Sequence, residues 1–188
     1  MRGAATARAA RFTRRFAADR RGVSAIEFAF IAPILIVFYF GMAETCQLLM
    51  AKRKISHAGA AVADLVSQTP TATTTKESLD DKLLAAQTIV APFNGSALTI
   101  RLTSVTSRNP TPGGAPMVDW SYPAGGRAKD STFTPATPLN TGESVILAEV
   151  TYNHTSSIGY FIPGVKTLTH KAELRPRKVD AIACSNCP

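Results

Sequence analysis

Hydrophobic positions run almost unbroken through one part of this chain and alternate with polar ones through the rest. From Gly22 to about Met50 (GVSAIEFAFIAPILIVFYFGMAETCQLLM), apolar residues dominate, and between Glu27 and Lys52 the only charged side chain is Glu44. A helix rises about 1.5 Å per residue, so this stretch is long enough to cross a hydrocarbon core of roughly 30 Å. The pattern then becomes periodic. Ile55, Ala58, Val62, Leu65 and Val66 recur at three- and four-residue steps, which predicts that the same helix continues amphipathically to about Gln68. Gly59, Ala60, Ala61 and Ala63 add small surfaces that allow another element to come close. This second half needs a partner, either the distal part of the chain or another copy.

Thr69–Glu77 (TPTATTTKE) reads as a linker leading to a helix start. Ser78, Asp80 and Asp81 favour a helix N-terminus, and Leu79, Leu83, Leu84, Ile89 and Val90 form a stripe, predicting a short amphipathic helix over Lys76–Ala91. Ser96–Arg108 alternates Leu98, Ile100 and Leu102 with Thr99, Arg101 and Thr103, the period of a half-buried strand. Asn109–Pro116 (NPTPGGAP) is a turn by its Pro and Gly content. Met117–Pro123 makes a short strand with Val118, Trp120 and Tyr122 facing one way; Ala124–Gly142 has no period and reads as an exposed loop. Ser144–His154 is the strongest strand, with Val145, Leu147, Glu149, Thr151 and Asn153 opposite Ile146, Ala148, Val150 and Tyr152. Leu168–Leu174 offers one more. The expected fold is α+β: a long N-terminal helix, transmembrane in its first half and amphipathic in its second, packed with a small, mainly antiparallel sheet of three to four strands. The expected organisation is a leader over 1–22, a helix over 23–68 and one domain over 69–188.

Charge changes the picture at the N-terminus. The chain carries a net +8, of which +6 lies in residues 1–22: Arg2, Arg8, Arg11, Arg14, Arg15, Arg20 and Arg21 against Asp19. The basicity thus belongs to the tail, which argues against a nucleic-acid-binding domain. Three readings compete for this tail: a positive-inside flank that keeps the N-terminus cytoplasmic, an organellar transit peptide, and a twin-arginine export signal. The arginine pairs lack the full hydrophobic pattern directly behind them, and a transit peptide leaves the long apolar stretch unexplained. Charge asymmetry favours the positive-inside flank, although Lys52, Arg53 and Lys54 on the far side reduce it. An ordinary cleaved secretory signal fits poorly, because the apolar segment is too long and no A-x-A site ends it.

Within the apolar stretch, Glu27 stands immediately before Phe28. A carboxylate there is costly unless it is paired or reaches the head-group region, so it has both a functional and an incidental reading. Pro33 removes one backbone donor and permits a kink. Gly41, near Ala43, offers a small-residue face for a partner helix.

The segment RRGVSAIEFAFIAPILIVFYFGMAETCQLLMAKRKISHAGAAVADLV resembles the TadE/TadG-like pseudopilins of tight-adherence type IV pili. GVSAIEF has the prepilin-peptidase pattern: a basic leader ending in Gly22, then four residues and Glu27. Gly22, Glu27, Phe28, Ala29, Pro33, Leu35, Gly41, Glu44, Ala58, Ala61 and Ala63 carry the likeness over about a quarter of the chain; VILAEVTYNH and TLTHKAELRPR resemble the tail of such proteins more loosely. The resemblance implies cleavage between Gly22 and Val23, and a Val23 α-amino group lying near Glu27 of a neighbouring subunit. Glu27 then acts as a register device. It further implies prepilin peptidase, other pilins or pseudopilins, the pilus assembly platform and the lipid bilayer as partners. The expected location is a bacterial inner membrane, with the N-terminus cytoplasmic and the C-terminal domain periplasmic, and an extracellular pilus after assembly.

Motifs for chemistry are sparse. His57, His154 and His170 have no metal-ligand spacing, and the Gly113–Gly114 and Gly125–Gly126 pairs lack a strand–helix context. No carboxylate dyad, metal site or cofactor is nominated, and the expectation is a non-enzymatic protein. In an oxidising periplasm Cys184 and Cys187 are expected to form a small disulfide, with Cys46 free. Two function classes follow: a minor pilin that joins or primes a tight-adherence pilus, and a single-pass, membrane-anchored binding or sensor module in which Glu27 is incidental.

Overall fold

The computed structural model describes residues 21–108 and 115–187. The leader before Arg21, and most of the Asn109–Pro116 turn, lie outside the described residues. A single 47-residue helix, α1 (Arg21–Ser67), carries Pro33 within it. Its first half is bare: Ile26, Phe28, Phe30, Ile34, Phe38 and Met42 are all exposed. Its second half is covered, with Ile55, Ala58, Val62, Ala63 and Val66 fully buried. Between two partners expected for the amphipathic half, the structure supplies the distal domain of the same chain. Leu65, expected in the stripe, is 42% exposed. At 100° per residue it falls just outside the arc that Ala58 and Val62 occupy, where the sheet no longer reaches.

A short strand β1 (Thr73–Thr74) precedes helix α2 (Lys76–Ile89). Thr75 caps α2, its side chain accepting from the Ser78 backbone N–H. Leu79, Ala86 and Val90 are buried, whereas Leu84 is 64% exposed. The buried stripe is narrower than the pattern predicts: Leu84 stands about 140° round the helix from Leu79 and looks outward.

Four antiparallel strands form the main sheet in the order β3-β2-β4-β5: β2 (Leu98–Thr106), β3 (Met117–Tyr122), β4 (Ser144–Thr155) and β5 (Val165–Leu174). The period-two pattern sets its faces. Leu98, Ile100, Leu102, Ile146, Ala148, Val150 and Tyr152 turn toward the helices and form the main core with Ile55, Val62 and Val66. On the other face Glu149 is paired with Arg127 at 2.8 Å and with Lys171 at 3.1 Å.

One expectation about faces fails. Trp120 and Tyr122 join the main core, but Val118 packs with Val105 and Val145 in a separate cluster on the opposite side. The cause is a β-bulge: Ser104 pairs with Trp120 and Val105 with Val118, so Asp119 is an extra residue. One inserted residue reverses the facing of everything beyond it.

The C-terminus closes the domain. A last strand, β6 (Ala183–Cys184), pairs in parallel with β1. Asn186 Oδ1 accepts from the Lys76 backbone N–H at 2.7 Å, at the start of α2, and Cys184 is bonded to Cys187. The Glu77 carboxyl is held below its ordinary range by its own backbone N–H, by Thr75 and by Asn186. Trp120 Nε1 donates to the Ile182 carbonyl at 2.7 Å, tying the tail to the sheet.

Candidate functional site

Helix α1 meets the domain at four levels. Glu44 contacts the loop between β4 and β5; Ser56 Oγ lies 3.2 Å from the ring nitrogens of His170; Gly59 faces Val150; and the Ser67 carbonyl accepts from the Arg177 backbone N–H at 3.0 Å. Gly59 is needed for that approach. A Cβ at this position would lie 2.5 Å from Val150 Cγ2, so only a glycine lets strand and helix come so near.

The first of these levels is the most constructed. Glu44 is fully buried, although it stands on the membrane-like half of the helix. Its carboxylate accepts from the backbone N–H groups of Tyr160 (2.9 Å), Phe161 (3.1 Å) and Ile162 (2.7 Å). Three successive amides converging on one anion make a backbone nest. Two glycines with left-handed backbone, Gly159 (φ 70°) and Gly164 (φ 73°), bracket the turn that aims these amides inward. Each side satisfies the other: the carboxylate takes three donors, and the loop loses three orphan N–H groups.

The same loop fills the small-residue face expected for a partner helix. The Phe161 ring lies beside Gly41, 3.7 Å from where a Cβ would be. Tyr160 stacks edge-on against Phe161 and is 77% exposed. Sequence reasoning did not single out this loop. The signal available was Tyr-Phe-Ile held between Gly159 and Pro163-Gly164 at the tip of a hairpin, a place where polar residues are the rule.

The remaining nominated residues lie apart from this clamp. Gly22, Val23, Glu27, Phe28 and Pro33 are all exposed along the bare helix. Cys46 is free and exposed, and the Cys184–Cys187 bond sits by the start of α2. His154 is buried beside Phe93 and Tyr152, and His57 is exposed. Among the described residues no group of three His, Cys, Asp or Glu is placed to hold a metal.

Fold and site together define a class: a small α+β domain carried on one helix whose free half is long and apolar enough to cross a membrane. Within that class the chain carries a TadE-like segment. The family model described as TadE-like protein matches residues 22–64, which span the bare half of α1 and most of its covered half. That family comprises pilus-associated structural proteins. No curated protein and no solved structure matches the chain.

Proposed function

We propose that this protein is a pseudopilin, or minor pilin, of a tight-adherence type IV pilus, cut by prepilin peptidase between Gly22 and Val23. The observation that carries the reading is that the TadE-like match, residues 22–64, opens on the glycine of GVSAIEF and runs through the helix segment whose apolar side chains, from Ile26 to Met42, are exposed. In this reading residues 1–22 are a removable cytoplasmic leader, the bare half of α1 anchors the precursor in the inner membrane, and the domain over 69–188 lies in the periplasm. Other pilins, or the assembly platform, then take up the bare helix as it leaves the lipid. The new Val23 amine and a neighbour's Glu27 form the pairing that sets the stagger between helices; a buried acid with an opposite charge is far less costly than one alone.

The mature N-terminus tests this directly. Intact mass of the membrane-fraction protein is expected to correspond to a chain starting at Val23, and replacing Gly22 is expected to leave the longer precursor. A start at Met1 would overturn the pseudopilin reading in favour of a plain anchored module. Glu27→Ala is expected to insert normally yet to vanish from sheared pilus fractions, since removing one member of a buried ion pair costs about 3–5 kcal/mol. Undiminished recovery in pili would refute the pairing.

A further inference from the structure

The β4–β5 loop presents apolar side chains where a periplasmic loop has no need of them. Ile158, Tyr160 and Phe161 in the loop, and Val165 at the first position of β5, are 44, 77, 40 and 60% exposed. Two of them are held against the helix: Phe161 lies beside Gly41, and the Tyr160 and Phe161 backbone N–H groups bond Glu44. Twenty helical residues cover about 30 Å, so a span counted from Val23 or from Phe28 reaches its far boundary between about Met42 and Gln47. Phe161, beside Gly41, therefore lies at the depth of that boundary or just inside it.

We propose that the 156–164 loop is a membrane wedge: its aromatic tip enters the outer interface of the same bilayer that the helix crosses, with Glu44 as its fastener. Three observations support lipid as the occupant. The apolar tip is continuous with the bare apolar helix, so one environment covers both. Aromatic side chains with a polar handle, here Tyr160, favour the head-group level. Lys52, Arg53, Lys54 and Lys166 are exposed, the first three about 12–15 Å further along the helix than Glu44, on the side where cations meet anionic head groups. The Glu44 nest removes the main obstacle to such a position. Irregular backbone at membrane depth is tolerated only where its polar groups are satisfied internally, and Glu44 satisfies three N–H groups of the tip. The wedge would fix the tilt and height of the domain above the membrane before any filament forms. The inference rests on α1 being the anchor and is independent of cleavage at Gly22.

Spin labels in the full-length protein test it. Tyr160→Cys, in a Cys46→Ser background with the Cys184–Cys187 bond left oxidised, is labelled in vesicles of phosphatidylethanolamine and phosphatidylglycerol. Val37→Cys reports on the anchor, and Lys178→Cys, exposed beyond the far end of the helix, serves as the aqueous control. Accessibility to oxygen relative to a water-soluble nickel chelate is expected to be several-fold higher at 160 than at 178, at any protein-to-lipid ratio. A label at 160 as aqueous as that at 178, while 37 reads as lipid, overturns the wedge and leaves the anchor standing. An aqueous label at 37 overturns both. Burial at 160 that fades as protein is diluted in lipid means a second copy covers the tip, and also overturns the proposal.

Discussion

Replacing Glu44 by alanine is expected to release the 156–164 loop while the sheet stays folded. The carboxylate is the shared acceptor for Tyr160, Phe161 and Ile162, and no other group replaces it when it is lost. Hydrogen bonds to a charged acceptor contribute about 1.5–3 kcal/mol each, but the freed loop can regain water, so the net loss is nearer 3 kcal/mol than the sum of three. That corresponds to roughly a hundredfold loss of amide-exchange protection at residues 160–162. Protection along β4 at Ile146 and Ala148, paired with β2 and β5, is expected to hold. Glu44→Gln is expected to fall between, since its amide keeps one oxygen but loses the charge. Unchanged exchange in the alanine variant would mean that the loop holds its shape through Gly159, Gly164 and its own packing, and that Glu44 merely fits beneath it.

The second large effect concerns Gly59. Its Cβ would overlap Val150 Cγ2, and His170 Cδ2 stands next at 3.5 Å. Gly59→Ala gains about 1 kcal/mol of helix propensity yet incurs about 1–3 kcal/mol of overpacking, so the overpacking decides the sign and the variant is less stable. Gly59→Leu extends the clash and is expected to detach the sheet from the helix, read as a fall in Tm and rapid proteolysis between Ser67 and Lys76. Val150→Ala provides the check. Alone it opens a cavity and destabilises; combined with Gly59→Ala it makes room for the new methyl. The double variant is therefore expected to be more stable than the sum of the two single losses predicts. Strict additivity would show that helix and strand adjust apart without strain.

How much of this was legible follows from what the code is local to. The long helix, the α2 segment and all four strands of the main sheet are written in runs and periods, and β4's two faces came out as the alternation of Ile146, Ala148, Val150 and Tyr152 implied. What was not legible depends on pairing across distance. Val118 follows its alternation locally and is turned by the bulge at Asp119, which exists only because β2 pairs with β3 in that register. The β1–β6 pair joins residues 110 positions apart through two residues on each side, too few to make a period. Glu44 was visible as an odd acid near the end of an apolar run, but its answer lies in backbone amides, which have no letter in a sequence. Leu65 and Leu84 failed for a simpler reason: an apolar residue at the edge of a stripe is buried only if the neighbour is wide enough to reach it.

The order of contacts along α1 has a mechanical consequence. Glu44, Ser56, Gly59 and Ser67 touch the domain in sequence, from the tip of the β4–β5 hairpin to its open end. A force applied to the N-terminal end of the helix, along its axis, loads these attachments together in shear instead of unzipping them one by one. The strands are not pulled apart, because the helix enters the domain from the hairpin side and the chain rejoins the sheet only beyond Ser67. The domain can therefore be dragged by its helix without first being peeled from it.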